Sequence, residues 1–347
     1  MKWSYNVERS QGVAAWLFAV AGLVIALVVV GGATRLTGSG LSITEWRPVT
    51  GMIPPISAQG WAAEFAKYQR IPQYVQVNRG MSLGEFQTLF WWEWAHRLLA
   101  RLTGFVFLAP FVAFLALRRI PRRLIWRCGV IFALGGLQGL VGWWMVASGL
   151  AGRVSVAPER LATHLGLALL LYAACIWTGL EAWFGRGRIA YEPDRRWGWG
   201  APALAALAYG QCLMGALVSG NRAGKIDGDW PLMGGRLFPE GYVDRARGVI
   251  GSLLHSLPAV QFNHRLVGYA LLLAALGFAG VTQANRFMAP PVRRLAWVFA
   301  GVVVAQAAMG VLTLWAGDPL WLGLLHQLGA VGVLTTALTL AWRTRRN

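Results

Sequence analysis

Charge is what this sequence has least of. Only 13% of its 347 residues are charged, about half the fraction ordinary in a soluble domain. Whole stretches carry none: between Arg9 and Arg35, Arg127 and Arg153, Arg160 and Glu181, and Arg196 and Arg222. The same holds between Arg265 and Arg286, Arg294 and Asp318, and Asp318 and Arg343, each gap running 20 to 25 residues. A helix needs about 20 apolar residues to cross a bilayer. The gap from Arg101 to Arg118 is shorter, so that span is predicted to start earlier, near Thr88. Period-2 alternation is also missing from these runs, which excludes a membrane barrel. Cysteine is nearly absent: Cys128, Cys175 and Cys212 form neither CxxC nor CxxCH. That leaves c-type haem attachment and a structural zinc site unsupported.

What charge there is has a strong sign and a pattern. Lys and Arg number 32 against 14 Asp and Glu, a formal net charge of +18. The bases do not spread as they would on a nucleic-acid-binding face. They cluster in alternate short loops: Arg118, Arg119, Arg122, Arg123 and Arg127, then Arg186, Arg188, Arg195 and Arg196, then Arg286, Arg293 and Arg294, with Arg343, Arg345 and Arg346 at the end. This positive-inside bias predicts cytoplasmic N- and C-termini and puts the long loops 34–87 and 220–260 outside. The first apolar run follows Lys2 and Arg9 and ends in GGATR without a small-residue cleavage site. It reads as an uncleaved anchor. With no Arg- and Ser-rich transit peptide before it, the expected location is a bacterial plasma (inner) membrane, multi-pass, in contact with lipid and no nucleic acid.

The chain repeats itself at long range. EWAHRLLARLTG at 93–104 matches QFNHRLVGYALL at 261–272, and ATHLGLALLL at 162–171 matches LLHQLGAVGVL at 324–334. Between them, Gln138 and Gly142 match Gln306 and Gly310, and Trp46 and Trp230 each lie 15 residues after a glycine, Gly31 and Gly215. The sequence therefore predicts an all-α integral membrane protein: eight transmembrane helices as two pseudo-symmetric four-helix bundles. An N-terminal half, 1–190, carries the outer loop 34–87, and a C-terminal half, 191–347, carries the outer loop 220–260. An even number of spans per half makes the repeats parallel, about an axis along the membrane normal.

Four of the five histidines occupy equivalent places in this repeat: His96 and His164, then His264 and His326. Each lies 17 to 22 residues before a cytoplasmic basic cluster, about 25–33 Å along a helix and so near the outer face. Two histidines at one depth on facing helices are the axial-ligand arrangement for a haem iron. Polar packing across helices is the plainer alternative, but it does not account for duplicated pairs. Zinc lacks a third and fourth ligand at that depth. His255 lies in an outer loop of one half only and reads as ordinary surface. Arg97 and Arg265, each following a histidine, are candidate propionate-binding residues, the alternative being that they snorkel to the headgroups. Glu93 stands three residues before His96, where the second half has Gln261. A carboxylate there can move protons, whereas an amide cannot. The alternative is a plain ion pair with Arg97.

The residues now on the page resemble the haem A synthase family, in its mitochondrial and proteobacterial-type branch. The resemblance is carried by GGATRLTGSGLSITEWRPVTGMIPP, EFQTLFWWEWAHRLLARLTG, WPLMGGRLFP, QFNHRLVGY and the HLG and HQLG segments. It implies an enzyme, an oxidoreductase that turns a methyl group of haem O into the formyl group of haem A by successive hydroxylation, for cytochrome oxidase biogenesis. It implies haem b as cofactor on His264 and His326, haem O as substrate on His96 and His164, and Glu93 as the catalytic carboxylate. The partners it implies are haem O synthase, oxidase assembly factors and an unidentified electron donor, with assembly into a homo-oligomer left open. The cysteine pair that some bacterial members carry in the first outer loop is missing, since no cysteine falls between 34 and 95. A di-haem b membrane electron carrier without a haem substrate is the alternative, and it leaves the Glu93/Gln261 difference unexplained.

Overall fold

In the computed structural model, which describes residues 9–185 and 198–345, the apolar runs become eight long helices. These are α1 (Gln11–Leu36), α4 (Leu83–Ala116), α5 (Arg122–Leu150), α6 (Pro158–Phe184), α7 (Gly200–Asn221), α9 (Leu257–Ala284), α10 (Pro290–Trp315) and α11 (Leu320–Thr344). All eight are long and apolar enough to cross a membrane, and the chain is a multi-pass membrane protein. Among the described residues there is no strand. The basic run Arg186–Arg196, the expected boundary at 190, and Lys2 and Arg346 lie outside the described residues.

The second long helix starts earlier than the expected Thr88. Ser82 accepts from the Glu85 N–H, and the Glu85 carboxylate accepts from the Ser82 N–H at 2.8 Å. This reciprocal capping box satisfies two end donors and fixes the start at Leu83. The helix has 34 residues, about 51 Å at 1.5 Å each, against a hydrocarbon core of about 30 Å. Its first turns therefore stand clear of the apolar layer. Pro110, inside the same helix, leaves the Val106 carbonyl without its usual donor. The indole N–H of Trp16 on α1 donates to that carbonyl at 3.0 Å. In lipid such a partner must come from the protein.

The long helices form two rings with the same neighbours. In one, α1 packs on α4 and α6, and α5 on α4 and α6. In the other, α7 packs on α9 and α11, and α10 on α9 and α11. The rings meet where α6 packs on α7 and α1 on α11. Burial does not drive helices together in lipid, so close packing and polar bridges must. Both are present at this seam. The Tyr209 hydroxyl of α7 rests on Gly166 of α6, and within the first ring the Phe18 ring of α1 packs in the same way on Gly179 of α6. Arg35 donates to the Ser219 and Gly220 carbonyls, Gln327 to the Val28 carbonyl, and Tyr172 pairs with Thr335 at 2.6 Å. At the far end, buried Glu181 of α6 is tied to Arg123 and Arg127 of α5.

The two long loops are structured. The first contains α2 (Ala58–Tyr68) and α3 (Pro72–Gln76), and the second contains α8 (Gly248–His255). Ser57 caps α2 by accepting from the Gly60 N–H. Buried Tyr68 donates to Gln73 at 3.0 Å, and Gln73 donates to the Gly38 carbonyl at 2.9 Å. The first loop is thereby folded back on the end of α1. Trp46 packs edge-on against Trp143 of α5, and Trp230 against Trp315 of α10.

Candidate functional site

All four repeat histidines lie at the end of the helices that carries the long loops. His164, His264 and His326 come six, seven and six residues after the first residues of α6, α9 and α11, and His96 lies farther into the extended α4. Each ring rests on a glycine of the preceding long helix: His96 on Gly31, His164 on Gly142, His264 on Gly215 and His326 on Gly310. A Cβ at Gly142 or Gly310 would come within 2.9 Å of the ring Cε1, so no larger residue leaves the imidazole where it is. All four residues are of intermediate burial.

The second pair has a geometry that can be tested against a metal. The His264 and His326 ring centroids are 6.4 Å apart, with planes at 83°. That separation admits one metal atom bound at about 2 Å to a nitrogen of each ring. His96 and His164 lie on the matching helices of the other ring, α4 and α6. Three of the four are braced from behind. Gln138 Nε2 is 3.1 Å from His164 Nδ1 and donates to the His164 carbonyl at 2.9 Å. Gln211 and Gln306 repeat this on His264 and His326, with Nδ1 distances of 3.2 and 3.0 Å. The Oε1 atoms of Gln138 and Gln211 are buried without a partner. An imidazole that binds metal through Nε2 carries its proton on Nδ1, and a rotated glutamine amide offers that proton its oxygen. The residues present therefore fit an iron held between two imidazoles.

Above the histidines, α4 and α9 each clasp a loop. Glu93, only 3% exposed, accepts on Oε2 from the Ser42 hydroxyl at 2.8 Å and the Ile43 N–H at 2.9 Å. Its Oε1 accepts from Arg97 Nη2 at 2.6 Å and Nε at 3.1 Å. Arg97 also donates to the Ile43 and Glu45 carbonyls, and Arg101, a turn further on, to those of Arg47 and Pro48. In the other half Arg265 donates to the carbonyls of Asp227, Asp229 and Leu232. Ile43 and Glu45 stand to Trp46 as Asp227 and Asp229 stand to Trp230. The two arginines thus hold corresponding loop positions.

The Glu93/Gln261 difference matches a difference in the loops. Gln261 Nε2 donates to the Ala223 and Ile226 carbonyls at 3.0 and 2.8 Å, and its Oε1 accepts from Arg265. The first loop presents donors to position 93, and the second presents acceptors to position 261. A carboxylate suits the former and an amide the latter. Both guanidiniums are engaged with loop backbone, and His255 sits at the end of α8, 3.8 Å from Glu159. The glutamine braces were outside the sequence expectations. Their signal was present as Gln-x3-Gly, repeated at Gln138, Gln211 and Gln306.

Comparison with known proteins adds a family. The profile of a family described as cytochrome oxidase assembly protein matches residues 14–338. A protein of Caulobacter sp. (strain K31), named haem A synthase, is 56% identical over 340 residues, covering 98% of each chain. One of Caulobacter vibrioides with the same name is 55% identical over 339 residues, again covering 98% of each. One of Rhizobium meliloti, also so named, is 46% identical over 343 residues, covering 97% of this chain and 91% of its own.

Proposed function

The chain belongs to this cytochrome oxidase assembly family of haem A synthases, and from that premise we propose how its two histidine pairs divide the work. It is an enzyme of haem A biosynthesis, acting in oxidase assembly. We assign haem O, the substrate, to His96 and His164, and a haem b to His264 and His326. The observation that carries this is the pairing itself: two sets of imidazoles, each ring on a glycine, at the same end of the two helix rings. When bound, the haem b supplies electron transfer.

The chain's own residues do the rest. His96 and His164 orient the substrate ring between α4 and α6. Trp46 and the loop segment 42–48, pinned by Arg97 and Arg101, restrict water above it. Glu93 is the candidate proton-handling group, and Arg97 holds its carboxylate in register. Arg97 and Arg265, each next to a histidine, are the candidate cations for propionates. The basic residues at the α4–α5 and α9–α10 turns support cytoplasmic termini and a bacterial inner-membrane location. The matching helix neighbours support a pseudo-twofold relation between the halves. An electron donor, haem O synthase and assembly factors are the partners this role requires.

The test is co-expression with a haem O synthase in a host lacking haem A, followed by chromatography of the extracted haems. Haem A and its hydroxylated precursor are expected. Their absence, with haem b still bound, would favour a di-haem electron carrier.

A further inference from the structure

We propose that Gln138, Gln211 and Gln306 are positioning residues that make three of the four histidines permanent ligands, and that Leu27, where a fourth glutamine would stand, leaves His96 as the ligand that lets go. The proposal rests on the haem assignment given above.

The braces share one construction. In α5, α7 and α10 a glutamine lies four residues before the glycine that seats the histidine: Gln138 before Gly142, Gln211 before Gly215, and Gln306 before Gly310. Four residues is one helical turn, so glutamine and glycine share a face. Each glutamine then reaches both the Nδ1 and the backbone carbonyl of the same histidine. In α1 the seat is present, as Gly31 under His96, but the residue four before it is Leu27. Among the described residues no side chain hydrogen-bonds the His96 ring.

The chemistry of that difference is direct. A partner on the far nitrogen of a ligating imidazole fixes its tautomer and ring orientation and strengthens its donation to the metal, and removing such a partner typically weakens metal affinity 10–100-fold. As the structure stands, each glutamine Nε2 faces Nδ1; the Oε1 atoms of Gln138 and Gln211, buried without a partner, are the acceptors that a turned amide would offer to the Nδ1–H of a metal-bound histidine. Leucine offers neither an acceptor nor a donor. Both ligands of the second-half pair are braced, and only His164 of the first-half pair is. A site that must take up one haem and release another each turnover needs one weak ligand, and this places it on α4.

The experiment compares haem transfer to excess apomyoglobin from detergent-purified full-length protein loaded with protohaem. In a His264→Ala, His326→Ala background only the first-half site can load. There Leu27→Gln should slow transfer by about 10- to 100-fold, while Leu27→Met, matched in size without an amide, should leave the rate unchanged. In a His96→Ala, His164→Ala background, Gln211→Leu should speed transfer by a similar factor. Equal rates for Leu27→Gln and Leu27→Met, or no effect of Gln211→Leu, would overturn the proposal. If the fourfold His→Ala protein still retained protohaem, the haem assignment itself would fall instead.

Discussion

Glu93 and Arg97 face each other one turn apart on α4, with 2.6 Å between Oε1 and Nη2, and both also bind Ile43 of the first long loop. The pair is the hinge of the first-half clasp: the carboxylate takes the loop's N–H and the guanidinium takes its carbonyl. Removing the carboxylate leaves the half-buried Arg97 guanidinium and the Ile43 N–H without that partner, at a cost of about 1–3 kcal/mol. Glu93→Ala is expected to abolish haem A formation and to expose segment 42–48 to protease, with haem still retained by the second half. Full haem A yield in extracts of that variant would end the case for Glu93 as a working group.

Exchanging the residue in the other half should not move the chemistry. Gln261→Glu replaces a donor to the Ala223 and Ile226 carbonyls with a third acceptor. Leaving those groups unpaired costs about 1–3 kcal/mol. We expect a lower thermal midpoint and a looser second loop, without any new hydroxylating activity at the second pair. Unaltered stability would mean that the amide is not what holds that loop.

The glycine seats make a graded prediction. A methyl at Gly142 or Gly310 meets its histidine at 2.9 Å, whereas one at Gly215 meets His264 at 3.3 Å. Overpacking of this kind costs about 1–3 kcal/mol. Gly142→Ala and Gly310→Ala should therefore disturb the haem absorption and resonance spectra more than Gly215→Ala. The reverse order would show that the rings shift freely.

Asp229 governs the second loop's response to acid. The N–H groups of Gly235 and Gly234 donate to its carboxylate and hold it below the ordinary aspartate range. A carboxyl group with a depressed folded value stabilises the fold above its unfolded value, about 3.9, and loses that contribution as pH falls through the depressed value. The Gly234 and Gly235 amides should be protected relative to their intrinsic exchange rates at neutral pH, and that protection should fall only in the acid window. Fast exchange at pH 7 would remove the role given to Asp229.

Much of this could be read from residues alone, for reasons that differ by element. Charge-free gaps located the spans because lipid excludes charge along the whole length of a helix. The start of α4 was missed because its first turns are polar and leave the apolar layer, where a capping box, Ser82 with Glu85, decides the boundary. The short α2, α3 and α8 carry too few residues for a periodic signal. The histidines stood out by their rarity. Gln211 did not, since its significance depends on a ring that α9 brings to it from 53 residues away. Glu93 against Gln261 was visible as a difference of charge. Its match to loop donors and acceptors was not, because backbone orientation is invisible in a string of letters.

The packing of α1 on α11 has a consequence for how the protein is made. Synthesis delivers α1 before α11, yet Gln327 of α11 bonds the Val28 carbonyl of α1. The α1 span must therefore wait in the bilayer with one flank uncovered until α11 is made. His326 arrives on α11, so the second histidine pair closes at the moment the seam does. On the haem assignment proposed above, that pair loads only after α11 is in place, and a ribosome stalled before α11 leaves a protein that is both open to lipid along α1 and short of one ligand.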